Sequence, residues 1–235
     1  MTTHILVTGS TRGIGAAIVD AFLGQDVRIV GHGSRSRDGV IGVDLEQPGA
    51  GDRLWDAALK ALDGRIDVLV NNAGVFEPAA VDLPTDEWQA QWARTMQIYL
   101  QAAADLCRRA VLHFRGIGGG RIVNIASRAA YRGDSPAHWH YAAAKAGMVG
   151  MTKSIARGFA SENILAFTVT PGFVMTGMAE EYVASRGGEK LLADIPLGRV
   201  AVPEEVANAV AYLALQAPPS MTGAVIDING ASFVR

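Results

Sequence analysis

The sequence predicts an α/β fold, a single doubly wound parallel sheet of about seven strands with helices on both faces. Three observations predict it. Short apolar, β-rich runs alternate with longer segments of helical periodicity along the chain, the pattern of a parallel sheet covered on both sides. The first run passes through a glycine turn into an amphipathic segment, the unit that opens doubly wound sheets. No linker, repeat or low-complexity stretch interrupts the 235 residues, so residues 1–235 are expected to form one domain with a substantial core.

Residues 4–8, His-Ile-Leu-Val-Thr, read as a buried strand. Gly9-Ser-Thr-Arg-Gly13-Ile-Gly15 follows, then Ile14, Ile18 and Phe22 at helical spacing and Gly24 where a helix ends. Such a turn lets the backbone approach a pyrophosphate, whose charge suits a helix N-terminus, so the fold is expected to be Rossmann-type. A second strand at 27–30 ends in Gly31-His-Gly-Ser-Arg35-Ser-Arg37. NAD-specific folds place Asp or Glu here for the ribose 2′-hydroxyl, and residues 27–37 contain neither. His32, Ser34 and Arg35, with Arg12 nearby, suit a 2′-phosphate instead, so NADP is expected in preference to NAD.

A short third strand at 40–45 leaves no room for a preceding helix. Segment 52–62 repeats Leu54, Trp55, Ala58, Leu59 and Leu62 as an amphipathic helix. Strand 67–70 runs into Asn71-Asn-Ala-Gly74. One long helix, 85–114, is predicted next, with Trp88, Trp92, Met96, Tyr99 and Leu100 on one stripe and Cys107 as a small core filler. The glycines of 116–120 precede a strand and read as a turn. Strand 121–125 ends at Ala126-Ser127, a helix carrying Tyr141 and Lys145 runs to 159, and strand 166–170 closes in Pro171-Gly172. Residues 175–195 form an irregular insertion whose Met175, Met178, Tyr182 and Leu191 are either its core or an apolar lid. Pro203 opens a helix to 215, and 225–228 is the seventh strand.

Composition narrows the function. With 49% hydrophobic residues and a net charge of −2, the chain has no electrostatic case for nucleic acid or an anionic membrane. The single Cys107 excludes an internal disulfide framework and fits a reducing compartment. No signal peptide and no run of 18 apolar residues is found, which makes a cytoplasmic protein the expectation. Ser127 lacks the Gly-x-Ser-x-Gly surroundings of a hydrolase nucleophile. His138-Trp-His140 lacks the Cys or carboxylate company of a metal site, and no metal is expected. These residues read as the loop before Tyr141, where Trp139 or His140 could border a substrate.

Tyr141 and Lys145 stand four apart on one helix face. An ammonium about 4 Å from the phenol, at an effective dielectric near 20, is worth roughly 4 kcal/mol, about three pKa units. The expectation is a phenol brought down into the range of efficient acid–base work.

Thr8-Gly9-Ser-Thr-Arg-Gly13-Ile-Gly15, Asn71-Asn-Ala-Gly74, Ser127, Tyr141-x-x-x-Lys145 and Pro171-Gly172 together resemble the short-chain dehydrogenase/reductase family, in its order and spacing over nearly the whole chain. The look is closest to members like the 3-oxoacyl-carrier-protein reductases. The resemblance implies hydride transfer between NADP(H) and a ketone, aldehyde or secondary alcohol. It implies Tyr141 as general acid or base, Lys145 as its pKa-lowering partner and ribose ligand, and Ser127 as hydrogen-bond donor to the carbonyl oxygen. Gly9, Ser10, Arg12, Gly13, Ile14 and Gly15 would line the pyrophosphate and ribose. Asp44 and Leu45 would meet the adenine, and Asn71, Ala73 and Gly74 would shape the pocket behind the nucleotide. Pro171, Gly172, Val174 and Thr176 would hold the carboxamide. A small-molecule substrate and a homo-oligomer, tetramer or dimer, are implied as well.

One feature departs from the family pattern. Members usually carry an Asn in the long helix that anchors a water beside the lysine, and this chain has no Asn between Asn72 and Asn124. Counting without gaps from Trp88 puts Thr95 there, with Gln97 as the alternative. That departure motivates a second hypothesis, a nucleotide-binding regulator or scaffold of the same fold with weak or no catalysis.

Overall fold

The computed structural model describes residues 2–176 and 188–235, with the side chains of 189–191 excepted. Seven strands, all parallel, form one sheet in the order β3-β2-β1-β4-β5-β6-β7. In chain order these are β1 (Thr3–Val7), β2 (Val27–Gly33), β3 (Val40–Gly42), β4 (Val68–Asn71), β5 (Gly120–Ile125), β6 (Ile164–Pro171) and β7 (Val225–Ile228). The helices are α1 (Gly13–Ala21), α2 (Ala50–Ala61), α3 (Thr85–Met96), α4 (Ala102–Ile117), α5 (Ala129–Arg132), α6 (Trp139–Phe159), α7 (Gly188–Ala193) and α8 (Pro203–Leu215).

The near-continuous apolar strands follow from burial on both faces. Successive side chains point to opposite sides, so Ile5 and Val7 belong to one core and Leu6 to the other. The first core gathers Ile18 and Phe22 of α1 with Val206, Val210 and Leu213 of α8. The second gathers Leu54 and Trp55 of α2 with Leu106, Ala110 and Phe114 of α4 and Ile155 of α6. Cys107 is buried there, and burial pushes its thiol up to about 12, which suits an inert filler.

Three boundaries differ from the sequence reading. β2 continues through Gly31, His32 and Gly33, because β3 pairs with those three residues. β3 is correspondingly short, and Asp44 and Leu45 lie in the turn beyond it. The predicted single long helix is two helices joined by a π-helical turn, Gln97–Gln101, in which the amide of Ala102 donates to the carbonyl of Gln97. One extra residue in that turn shifts everything after it. The abbreviated β2–β3 connection has no helix, as expected. Of the insertion residues, Met175 packs with Leu192 against Ile195 and Val200 as a small satellite core, while Met178 and Tyr182 and the side chain of Leu191 lie outside the described residues. No helix of the described residues is long and apolar enough to cross a membrane.

Candidate active site

The carboxyl ends of β1, β4, β5 and β6 carry the motif residues. Gly9 takes φ +63°, and a Cβ there would stand 2.6 Å from the Cα of Ala73, so only glycine lets the turn lie against the end of β4. Thr8 and Asn72 tie the two segments together. The Thr8 Oγ1 accepts from the amides of Asn72 at 2.9 Å and Ala73 at 3.0 Å, and the Asn72 Nδ2 donates to the carbonyls of Thr8 and Gly9. Gly13 opens α1, whose first turn has no side-chain cap, so its free amides form an anion-binding end beside Gly15. Thr176 packs its methyl on Gly13, which brings the segment after β6 against the glycine turn. These features fit a dinucleotide phosphate.

Two residues expected at that phosphate have other partners. His32 is buried in β2, where burial lowers its pKa. Its Nδ1 accepts the Gly9 amide at 3.2 Å, which leaves Nε2 to donate to the Val43 carbonyl at 2.8 Å. The ring braces the glycine turn from below and does not face a 2′-phosphate. Ser10 is buried too, its Oγ accepting the His32 amide at 3.0 Å. His32 was read as a loop residue because β2 was taken to stop at Val30, which would have left 31–33 in an open loop.

Arg12, Ser34 and Arg35 are exposed. Arg37 donates to the Thr11 carbonyl at 3.1 Å, so the glycine turn and the loop after β2 meet at one corner. Asp44 is exposed and its Oδ1 accepts the Glu46 amide, while Leu45 is buried with its carbonyl accepting the Gln97 Nε2 at 3.2 Å. Asn71 points into the sheet, donating to Asn124 at 2.8 Å, and Asn124 donates onward to Thr152. Pro171 accepts the Arg128 amide, Gly172 donates to Ile228, and Val174 is buried where it bridges Ala201.

Ser127, Tyr141 and Lys145 come together at the end of β5. The Ser127 Oγ accepts the Ala129 amide at 3.1 Å, which leaves its proton free for another acceptor. Tyr141 stands close enough to Ser127 for the serine hydroxyl to pull the phenol's pKa down. Lys145 is 4% exposed and donates to the Ile125 carbonyl at 2.6 Å. Its ammonium lies 5.8 Å from the Tyr141 ring centroid and only 4.2 Å from that of Tyr99. The acidified phenol expected from the sequence is therefore corrected. Burial pushes Tyr141 up to about 12, against the pull of the Ser127 hydroxyl, and burial brings Lys145 down to about 7. The pair shares a helix face, but Lys145 spends its shortest contact on a backbone carbonyl.

Among the described residues the partners of Lys145 are Ile125, Tyr99 and Tyr141, and the two candidates for the relay position make their contacts elsewhere. Thr95 is buried on α3, and Gln97 is held by Leu45. The extra residue of the π turn presents Tyr99 instead, and gapless counting could not find it. Sequence reasoning also missed Phe76, which stacks on His138 at 4.1 Å and meets Tyr141 edge-on at 5.1 Å. Trp139 and His140 open α6 and do not form a loop. Trp139 is half exposed, whereas His140 is buried against Trp92. Arg128, next to Ser127, lies over the Phe173 ring and pairs with Asp194 at 3.5 Å, fastening the segment after β6 to the end of β5. A cavity of about 330 Å³ opens at the other end of the sheet between Thr3, Asp67, Gly120 and Leu165. Doubly wound sheets bind ligands at the carboxyl ends of their strands, and the hydroxyl pair lies there.

A Rossmann-type parallel sheet with a glycine turn, Ser127, Tyr141 and Lys145 at one end is the frame of a dinucleotide-dependent oxidoreductase, the class to which its relatives belong. Comparison with known proteins agrees. The chain belongs to the short-chain dehydrogenase/reductase family, a member of which, the family model described as enoyl-(acyl carrier protein) reductase, matches residues 9–231. It is similar to the 3-oxoacyl-[acyl-carrier-protein] reductase FabG of Vibrio cholerae, 33% identical over 240 residues that cover 97% of this chain and 96% of the relative. The protein of the same name in Thermotoga maritima is 33% identical, over 96% of this chain and 95% of the relative. The acetoacetyl-CoA reductase of Rhizobium meliloti is 32% identical, over 99% of each.

Proposed function

We propose that this protein is an NADP(H)-dependent carbonyl reductase acting on a 3-oxoacyl thioester or a ketone of that kind. The observation that carries the reading is the placing of the Ser127 and Tyr141 hydroxyls within each other's influence at the open end of β5, with Lys145 held there on the Ile125 carbonyl. Two donors converging on one point suit an oxygen that gains negative charge, the change that carbonyl reduction brings.

The α1 amides at Gly13, Ile14 and Gly15 would hold the pyrophosphate, and Arg12, Ser34 and Arg35 the 2′-phosphate. Asp44 and Leu45 would flank the adenine, Ala73 and Gly74 the ribose side, and Pro171, Gly172, Val174 and Thr176 the carboxamide. When bound, the nicotinamide supplies the hydride. Tyr141, protonated at neutral pH because burial raises its pKa, releases its proton from the phenolic oxygen only to a strongly basic alkoxide. Ser127 donates a hydrogen bond to the same alkoxide oxygen. Lys145, held on the Ile125 carbonyl, places positive charge beside the phenolate as it forms. The reading includes a homo-oligomer paired through α4 and α6, where Leu112 presents an exposed apolar side chain.

The test is NADPH oxidation with acetoacetyl-CoA, with a 2-enoyl thioester as the control for double-bond reduction. Tyr141→Phe is expected to lower kcat at least about a hundredfold, the scale of a lost general acid. An unchanged rate sinks the assignment. A clear preference for NADH, or undiminished NADPH affinity in Arg12→Ala, overturns the cofactor choice.

A further inference from the structure

Lys145 is a buried cation with no carboxylate partner among the described residues. Burial of an isolated ammonium is costly, so something must hold it. Two things touch it: the Ile125 carbonyl at 2.6 Å, and the face of the Tyr99 ring, whose centroid is 4.2 Å from Nζ. A cation this close to a desolvated aromatic face is attracted by the negative charge of the ring face.

Tyr99 is fixed in turn from every side. Its hydroxyl donates to the Val75 carbonyl. Its ring meets Tyr141 edge-on at 5.3 Å. It lies so close to Gly74 that a Cβ there would come within 2.2 Å of the ring, so the absence of a side chain at 74 makes its seat. The π turn supplies the orientation, since the extra residue rotates Tyr99 inward to 6% exposure.

We infer that Tyr99 is a positioning residue for Lys145, its ring holding the ammonium on the Ile125 carbonyl beside Tyr141 and preserving the charge there without an acidic partner. The role deepens the reductase reading, on which it rests for the work done by Lys145. The ring, and not the hydroxyl, carries the effect, because the hydroxyl faces away toward Val75. The groups bearing on the lysine are few. From the π turn comes Tyr99, held neutral by burial. The end of β5 brings the Ile125 carbonyl and Ser127, α6 brings Tyr141, and Asp134 acts on Tyr141 from the loop before α6.

The chain has four lysines, Lys60, Lys145, Lys153 and Lys190. NMR titration with ¹³Cε-lysine can therefore follow Lys145 directly, its signal assigned by loss in Lys145→Arg. Removing a cation–π contact disfavours the charged form, so the pKa must fall. Tyr99→Leu is expected to lower the Lys145 midpoint by about one unit, and Tyr99→Phe to leave it within about 0.3 unit. In turnover, the basic limb of the kcat profile should move down with the midpoint in Tyr99→Leu, with KM for the ketone changed less than about twofold. If Tyr99→Leu does not fold, Tyr99→Met, which also lacks the aromatic face, carries the same expectation. An unmoved midpoint in the aliphatic variant, or an equal shift in Tyr99→Phe, overturns the proposal. The titration needs no substrate, so it reads Tyr99 even if the carbonyl panel fails. An intact effect of Tyr141→Phe on turnover with an unmoved midpoint would sink Tyr99 alone.

Discussion

Thr8→Val isolates one interaction that joins the glycine turn to the end of β4. The side chain is 1% exposed, and valine matches its shape, so no cavity opens. What disappears is the oxygen that accepts the amides of Asn72 at 2.9 Å and Ala73 at 3.0 Å. An amide left unpaired inside a protein costs about 1–3 kcal/mol, and two such amides give about 2–6 kcal/mol. Both residues are only partly buried, so water can recover part of this, and about 2–4 kcal/mol is the expected loss. That is a large share of the roughly 5–15 kcal/mol that holds an ordinary domain together. Urea denaturation of parent, Thr8→Val and Thr8→Ser measures it. Thr8→Ser keeps the acceptor and loses one methyl, so it should cost about 1 kcal/mol with an unchanged m-value. A Thr8→Val protein within about 0.5 kcal/mol of the parent, or a serine variant as unstable as the valine one, would refute the reasoning.

Two further outcomes concern charge. Lys145 has a folded pKa near 7, below its ordinary 10.5, so between those values the unfolded chain binds the extra proton and stability rises with pH. Lys145→Met should therefore gain on the parent most at pH 6, with an advantage that shrinks by at least about 1 kcal/mol by pH 10, read by chemical denaturation at both values. Glu205 accepts the Val202 amide at 2.8 Å at the start of α8 and pairs with Arg199, which hold its carboxyl down at about 2. The stability it adds is present above the ordinary carboxylate pKa and fades as pH falls from about 4.5 to about 2, so Glu205→Gln should cost about 1 kcal/mol at pH 7 and nothing near pH 2.

Much of the fold was legible because it follows from local pattern. A strand buried on both faces must be continuously apolar, as residues 4–7 are, and the glycine turn must come between strand and helix. The placing of Tyr141 and Lys145 on one helix was readable from their spacing. The π turn was not, because periodicity counts 3.6 residues per turn and a single added residue leaves the composition of the stripe unchanged. His32 was misplaced for a related reason. Gly31 and Gly33 flank it like loop residues, yet pairing with β3 draws all three into the sheet.

The sequence by itself therefore determined the architecture, the glycine turn between β1 and α1, and the placing of Tyr141 and Lys145 on one helix, since each rests on neighbours along the chain. Only the tertiary structure decided how those groups are charged. The pKa of Tyr141 and of Lys145 depends on how much water the packed layers exclude. Burial works against charge through the whole surrounding volume, and no linear pattern of residues encodes that volume.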